Sequence, residues 1–423
     1  MMRSMFSGVS GTRAHQLRMD VIGNNIANVN TIGFKYGRAT FQDVLSQTLK
    51  GASAPRGGRG GIDPMQVGLG VATRSIDTVF TPGSVEFTGR LTDMAIQGNG
   101  FFITKDGAGA LFFTRDGAFK IDGQGQLTHP STGNIVQGWV ADVNGNIDRT
   151  QSLTSITIPL GTSMNAAPTS TMAFVGNLDA GTAVGTVHTT SVPVYDSLGV
   201  QHIVSMTYEK TASNTWAWSA YFGPTMVPDP ADPTSMIPAT PVGSGAINFT
   251  DGGKVDSVTT NNPDWVAFSP GTGAADLRIK PELMALTQYG GTTSVNWNTQ
   301  DGFAAGSLET FNIDDRGLIT GVYSNGQYQI LGQMALAGFA NPEGLMRSAN
   351  NMFCETTNSG AAQIGEPGIE GRGGVLGTSI EMSNVDLSRE FTDMIITQRG
   401  FQANSRVITA ADEMLQELLA LKR

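Results

Sequence analysis

The sequence predicts a mainly β protein with helical ends: N- and C-terminal coiled-coil helices that pair, and nested β domains between them, one inserted as an outer domain. Three observations carry this. Leu387, Phe391, Met394, Gln398, Phe401, Ser405, Ile408, Asp412, Leu415 and Leu419 alternate steps of four and three, the 3.5-residue period that asks for a partner helix. Met5, Gly8, Thr12, His15, Met19, Ile22, Ile26 and Val29 keep the same alternation at the other end. Between these seams the helical period gives way to short apolar runs punctuated by turn dipeptides.

Taken in order, residues 4 to about 28 read as a helix that stops in the Asn-rich run Gly23, Asn24, Asn25, Asn28, Asn30 and Gly33, since Asn and Gly tolerate left-handed backbone and cap helix ends. A short helical piece is expected over Ala39 to Leu49, then a flexible loop from Gly51 to Gly70 with Arg56 and Arg59 among its glycines. From Val71 to about Leu160 the chain reads as strands. Ile96 to Thr104, Leu111 to Thr114 and Ala118 to Ile121 are rich in Phe and Ile, and Asp106-Gly107, Asp116-Gly117, Asp122-Gly123 and Asn144-Gly145 suit tight hairpins. The unit Phe119 to Gly125 is echoed by Phe311 to Gly317 at Phe, Ile, Asp and Gly, which places strands from both sides of the middle in one sheet system.

Residues 161–284 have a different texture, dominated by Thr, Ser and Val, with strands expected at Ser191 to Leu198, His202 to Lys210 and Thr215 to Phe222. Pro224 to Pro241 holds six prolines and reads as a loop. Because both ends of this region return to the same sheet, it reads as an inserted domain. The organisation that follows is 1–33 plus 383–423 for the terminal helices, 34–75 plus 350–382 for connecting segments, 76–160 plus 285–349 for a β-rich middle domain, and 161–284 for the outer domain. The last helix is expected to start with Ser383 as cap, Asp386 three residues on, and Met382 with Leu387 as a hydrophobic staple.

Composition narrows the function. With 423 residues the chain has ample length for a core without disulfides or metal staples. A net charge of -10 argues against nucleic acid and against an anionic membrane surface, because neither is recognised without clustered Lys and Arg. One cysteine, Cys354, precludes an internal disulfide framework. No apolar run approaches a bilayer span, and the start of the chain lacks the continuous apolar core of a signal peptide. No catalytic, cofactor or metal residues are expected. His15, His129, His188 and His202 are scattered, and neither HExxH nor GxSxG occurs. Asp142, Asn144, Asn146 and Asp148 alternate as calcium-loop ligands do, but Leu153 stands where a bidentate Glu belongs, so they read as a turn. No GxxxxGK[ST] or GxGxxG turns the Gly51 to Gly70 loop into a phosphate cradle. What remains is self-association through Met5, Met19, Ile22, Ile26 and Val29 on one helix and Leu387, Phe391, Met394, Gln398, Phe401, Ile408, Asp412, Leu415 and Leu419 on the other. A secreted adhesin is the alternative of another class, and exposure of Trp216, Trp218, Trp265 and Trp297 would support it.

Residues 20–35, DVIGNNIANVNTIGFK, resemble the N-terminal signature of bacterial flagellar rod and hook proteins, and 383–423 resemble the C-terminal signature. TGRLTDMAIQGNGFF, VYDSLGVQH and YSNGQYQILGQMALAGFANPEGL are similar to hook members of that family in particular. The resemblance implies a subunit of a curved hollow helical tube, a universal joint between motor and filament, exported through the flagellar type III apparatus without a cleaved signal. It implies that the subunit's partners are itself, the distal rod protein, the hook cap and the hook–filament junction protein, and that Gln398 and Asp412 set helix register. The glycine-rich segment Gly51 to Gln66 is also similar to one in the straight distal rod protein, which is the alternative within the family.

Overall fold

The computed structural model describes residues 2–55, 60–143, 145–223, 225–228, 236–262, 265–271 and 273–420. Helices α1 (Met2–Ala27) and α2 (Leu387–Ala420) lie at the two ends, and nearly everything between them is β-strand or turn. The chain forms two compact units. The first is Met1–Pro159 with Phe311–Gly321 and Gln329–Arg423, and the second is Leu160–Thr310 with Val322–Tyr328.

In the first unit the expected helix over 39–49 is absent. Its residues form β1 (Gly37–Asp43) and β2 (Ser46–Lys50), and the expected loop holds β3 (Met65–Gly68) before β4 (Val71–Thr78). β1 pairs with β4 from Gly37↔Thr78 to Asp43↔Val71, and β2 pairs with β3. The apolar spacing of Phe41, Val44, Leu45 and Leu49 imitates a helix. The β-branched Thr40 and Thr48 favour extended backbone, and residues 65–78 supply ladder partners that a local reading cannot see. Arg56 and Arg59 lie outside the described residues.

β5 (Val85–Phe87), β6 (Met94–Gln97), β7 (Phe101–Lys105) and β8 (Leu111–Thr114) follow. The apolar run expected as one strand over 96–104 is interrupted because Gly98 and Gly100 take positive φ, at 116° and 128°. β7 and β8 form a hairpin from Phe102↔Thr114 to Lys105↔Leu111. Strand 135–140 pairs with the end of β7 and with strand 328–334, which brings segments from both sides of the second unit into one sheet. Phe101, Ile103, Phe113, Trp139, Ala337 and Phe353 form its core, with edge-to-face rings such as Phe113 and Phe339 at 4.8 Å. The echoed units match in detail: Asp122 Oδ1 accepts from the amides of Gln124 and Gln126, and Asp314 Oδ1 from those of Arg316 and Leu318. Asn144 lies outside the described residues.

The second unit is a sandwich. Strands 187–195, 201–212, 215–222, 243–249 and 255–260 make one five-stranded antiparallel sheet in chain order. Strand 171–177 lies in the other, between 277–282 and 286–287, with 296–300 also paired to it. Alternation sends Trp216, Trp218 and Ala220 inward, where they meet Tyr208, Phe174, Ile247 and Ile279. Trp216 and Trp218 are therefore core residues, and Trp265 is half-buried and stacked on Trp218 at 6.4 Å. Trp297 is exposed. The proline-rich stretch read as a loop contains a short antiparallel pair, 226–228 with 236–238; residues 229–235 lie outside the described set.

Candidate functional site: the terminal helix pair and its neck

Asp386, rather than Ser383, caps α2. Its Oδ1 accepts from the amides of Ser388 at 2.9 Å and Arg389 at 3.2 Å. Ser383 stands too far upstream to reach the orphan amides of a helix that begins at Leu387, and instead accepts from Val385 N. At the other end Asn25 exchanges two hydrogen bonds with the Gly37 backbone, at 2.8 and 2.9 Å, folding the chain back after α1.

α1 and α2 pack against each other, antiparallel by their paired residues. Arg18 meets Asp393 at 3.1 Å and Asn25 meets Glu390 at 3.1 Å near one end. Gly11 faces Asn404 and Gly8 faces Asn404 and Ile408 towards the other. Along α1 the inward positions are Gly8, Gly11, His15, Arg18, Ile22 and Asn25. Along α2 they include Glu390, Thr397, Gly400, Asn404 and Ala411. Small residues set the approach distance: a Cβ on Gly11 would sit 2.6 Å from Asn404 Nδ2, and one on Gly400 would sit 2.7 Å from the His15 ring.

This corrects the expected seams as an account of pairing within one chain. On α1 the seam shares Gly8, His15 and Ile22 with the inward face, but its other members are displaced by one residue. Ile22 is buried, whereas Met5, Met19, Ile26 and Val29 are half-buried, Val29 beyond the helix end. On α2 most of the apolar seam is turned away from α1, Ile408 excepted, whose Cγ1 meets Gly8. Leu387, Phe391, Gln398, Phe401, Asp412 and Leu419 are exposed, Phe391 by 50% and Leu419 by 71%, and Met394, Ile408 and Leu415 are half-buried. Apolar periodicity located the face with most hydrocarbon, and the chain uses small and polar residues for its internal contact instead. Ile395, Ile396, Val407 and Met414 are exposed as well. A helix with this much outward hydrocarbon presents the kind of face that partners cover.

A buried neck joins the helix pair to the sheets. Glu381, 1% exposed, accepts from Lys35 Nζ at 2.5 Å, Arg115 Nη1 at 3.2 Å and Gly83 N at 2.9 Å. Lys35 Nζ also donates to Thr81 O at 2.8 Å, and Arg115 Nη2 to Gly98 O at 2.7 Å. Burial pulls the Lys35 ammonium below its ordinary range, and Glu381 opposes that pull. Glu381 reaches this position because strand 379–381 pairs with β5. Asn384 adds a bridge, accepting from Tyr36 N and donating to Val79 O and Thr81 O. Gly33, at φ 66°, passes so close to Arg115 and Asp116 that a Cβ would lie 2.6 Å from Asp116 N. None of Lys35, Arg115 and Glu381 stands out in the sequence, because a buried charge declares itself only through partners distant in the chain.

The helix interface responds to pH in two opposite senses. Burial, with Arg18 beside it, pulls His15 below its ordinary 6.5. The folded pair takes up this proton less readily than the unfolded chain, so His15's contribution is intact above pH 6.5 and is lost as pH falls from there. Burial pushes Glu390 above 4.5, with the Asn25 hydrogen bond opposing. The folded pair binds that proton first, so it gains stability as pH falls through the raised value, and the gain is complete below 4.5. Far-ultraviolet circular dichroism is expected to show terminal helicity dipping below pH 6.5 and recovering towards 4.5. His15→Gln should remove the dip and leave the recovery.

Among the described residues no group of acidic, His and Cys side chains is placed to hold a metal, and no helix is long and apolar enough to cross a membrane. His129 and His202 each bond a turn aspartate, Asp116 and Asp196.

Four family models match the chain: Flagella basal body rod protein at residues 5–35, Flagellar hook protein FlgE/F/G D1 domain at 95–167, Flagellar basal body protein FlaE D2 domain at 163–303, and Flagellar basal body rod FlgEFG protein C-terminal at 377–421. The flagellar hook protein FlgE of Treponema pallidum is 42% identical over an alignment covering all of both chains, and that of Borreliella burgdorferi is 40% identical, again over all of both. The chain belongs to the flagellar hook protein family. A rod relative is more distant: the flagellar basal-body rod protein FlgG of Bacillus subtilis is 29% identical over the whole of both chains. In this hook-family chain the models at the two ends take in most of α1, all of α2 and the neck residues Lys35 and Glu381.

Proposed function

We propose that the protein is a structural subunit of the flagellar hook, assembling with copies of itself into a curved hollow helical tube outside the cytoplasm that transmits motor torque to the filament. The observation that carries this is the outward hydrocarbon of α2: a helix already paired through Gly400, Asn404 and Ala411 still presents Phe391, Phe401 and Leu419 to solvent. Residues 1–33 and 383–423 supply the inner tube. The self-assembly residues are Met5, Met19, Ile22, Ile26 and Val29 with Leu387, Phe391, Met394, Gln398, Phe401, Ile408, Asp412, Leu415 and Leu419. Residues 76–159 with 311–321 and 329–349 form the middle shell and 160–310 with 322–328 the outer surface, a later boundary than the 284 expected from sequence because 286–287 and 296–300 pair with strand 171–177. The remaining partners are the distal rod protein, the hook cap, the hook–filament junction protein and the type III export apparatus, which carries the chain out. The role is mechanical, with no catalytic site and no cofactor.

The β2–β3 hairpin favours a second reading. Every residue of its two strands is exposed, and they flank the segment Gly51 to Gln66 that is similar to one in the straight distal rod protein. Electron microscopy of the full-length chain under salting-out conditions tests both. Curved tubes are expected; persistently straight rods would favour the rod reading, and monomers alone would overturn assembly.

A further inference from the structure

The second unit carries twelve Asp and Glu against four Lys and Arg, a net -8 of the chain's -10. One of those four cations stands over an aromatic ring. Against strands 255–260 and 277–282 lies an open groove of about 600 Å³ whose lining includes Ser257, Trp265, Lys280, Glu282 and Met284. Its volume is that of a small-molecule site.

The groove is built around Trp265. This residue sits at φ 60°, in the left-handed region that a bulky side chain rarely enters. Its amide donates to Asn262 O at 3.0 Å, and its carbonyl passes so close to Gly243 that a Cβ there would lie 2.4 Å from the oxygen. A costly backbone conformation persists only where the surroundings impose it, and such places cluster at ligand sites. Here it lays the indole against buried Trp218, 15° from parallel, and still leaves Trp265 half-buried. Lys280 Nζ stands over the Trp265 ring, 5.9 Å from its centroid. Strand 277–282 alternates, so Lys280 and Glu282 share its exposed face. Neither side chain enters an ion pair among the described residues. Ser257 Oγ accepts from Asn248 Nδ2 at 3.0 Å, which leaves its own proton to donate.

We propose that this groove binds a neutral sugar chain, with a pyranose ring on Trp265 and its hydroxyls hydrogen-bonded to Lys280, Glu282 and Ser257. An indole offers a flat apolar surface to the C–H face of the sugar. A sugar hydroxyl both donates and accepts, so one polyol satisfies the carboxylate and the ammonium together. Charge rules out the other classes. Glu282 and the unit's net -8 oppose an anionic sugar or a phosphate, and Lys280 already holds the ring face that a cationic ligand would need. Lys280 itself has a flexible stem and no fixed anion, so it swings from the ring to a ligand hydroxyl. The site belongs wholly to the second unit and does not depend on the self-assembly reading.

The test is isothermal titration of the full-length chain with chitotriose, cellotriose and maltotriose, with tryptophan emission followed in parallel. Saturable binding of at least one of them, with a change in emission, is expected. Glu282→Gln and Lys280→Met replace exposed side chains and should each weaken it by about tenfold or more. Trp265→Asn, a residue that tolerates left-handed backbone, should abolish it. Trp297→Ala, at an exposed tryptophan outside the groove, should leave it unchanged. No binding of any of the three sugars, or binding that Glu282→Gln and Lys280→Met leave untouched, would overturn the proposal. Tighter binding of trigalacturonate than of the neutral sugars would overturn it too. So would tighter binding of a hexapeptide of alternating Thr and Val, which would assign the groove to strand addition on 255–260, paired among the described residues with 243–249 alone.

Discussion

Glu381→Gln is expected to unlatch the helix pair from the sheets. The substitution keeps the shape and one acceptor but leaves the Lys35 and Arg115 cations, 0% and 2% exposed at their side chains, with no anion between them. Breaking a buried ion pair from one side costs about 3–5 kcal/mol because the surviving charge stays desolvated. For a unit of this size that corresponds to a drop in melting temperature on the order of 10 °C. Lys35→Met combined with Glu381→Gln should recover part of the loss by removing one of the stranded charges, although Thr81 O then loses its donor. Thermal unfolding of the two variants beside Lys35→Met alone gives the coupling directly. A Glu381→Gln protein as stable as the unsubstituted one would mean that the trio contributes no net stability.

Gly400→Leu should separate the helices while sparing the second unit. Its Cβ alone would stand 2.7 Å from His15 Cε1 and Nε2, and the imidazole is a rigid ring held in the seam against Phe41, 6.1 Å away between centroids. Overpacking of this kind costs about 1–3 kcal/mol, and a two-helix contact with polar and glycine positions has little reserve against it. The expected readouts are rapid amide exchange along α1 and α2, lost assembly, and an unaltered melting transition for the sandwich. Gly23→Ala is the contrasting variant. Nothing lies within 4 Å of that Cβ position, so only the backbone effect acts, and a gain of about 0.5–1 kcal/mol is expected. Equal behaviour of the two variants would show that close approach at Gly400 does not govern the pair.

These residues mark where sequence reasoning succeeds and where it stops. Strands 111–114 and 215–222 were legible to the residue because alternation, aromatic content and flanking turns all agree there. The helix ends were legible from Asn, Gly and Asp chemistry to within a few positions. The span 39–49 misled because helical spacing of apolar residues is a local signal, and β1 exists through its ladder with β4, whose partners run from Gly37↔Thr78 to Asp43↔Val71. The α2 seam misled differently. Hydrocarbon at a 3.5-residue period says that a face will be covered, and says nothing of whether the same chain covers it. The contact between α1 and α2 is written in Gly8, Gly11 and Gly400, where the signal is the absence of bulk, and in the polar Asn404.

The neck also sets an order of events. Lys35 and Glu381 are 346 residues apart in the chain, so a polypeptide emerging from its N-terminus carries the cation through nearly its whole length before the anion exists. During that interval α1 has only β1 and β4 to pack on, since α2 follows Glu381. Closing a loop of this length is slow compared with local pairing, and the sheets have time to form first. The last segment to arrive completes both clasp and helix pair, so a fragment ending short of residue 381 holds neither.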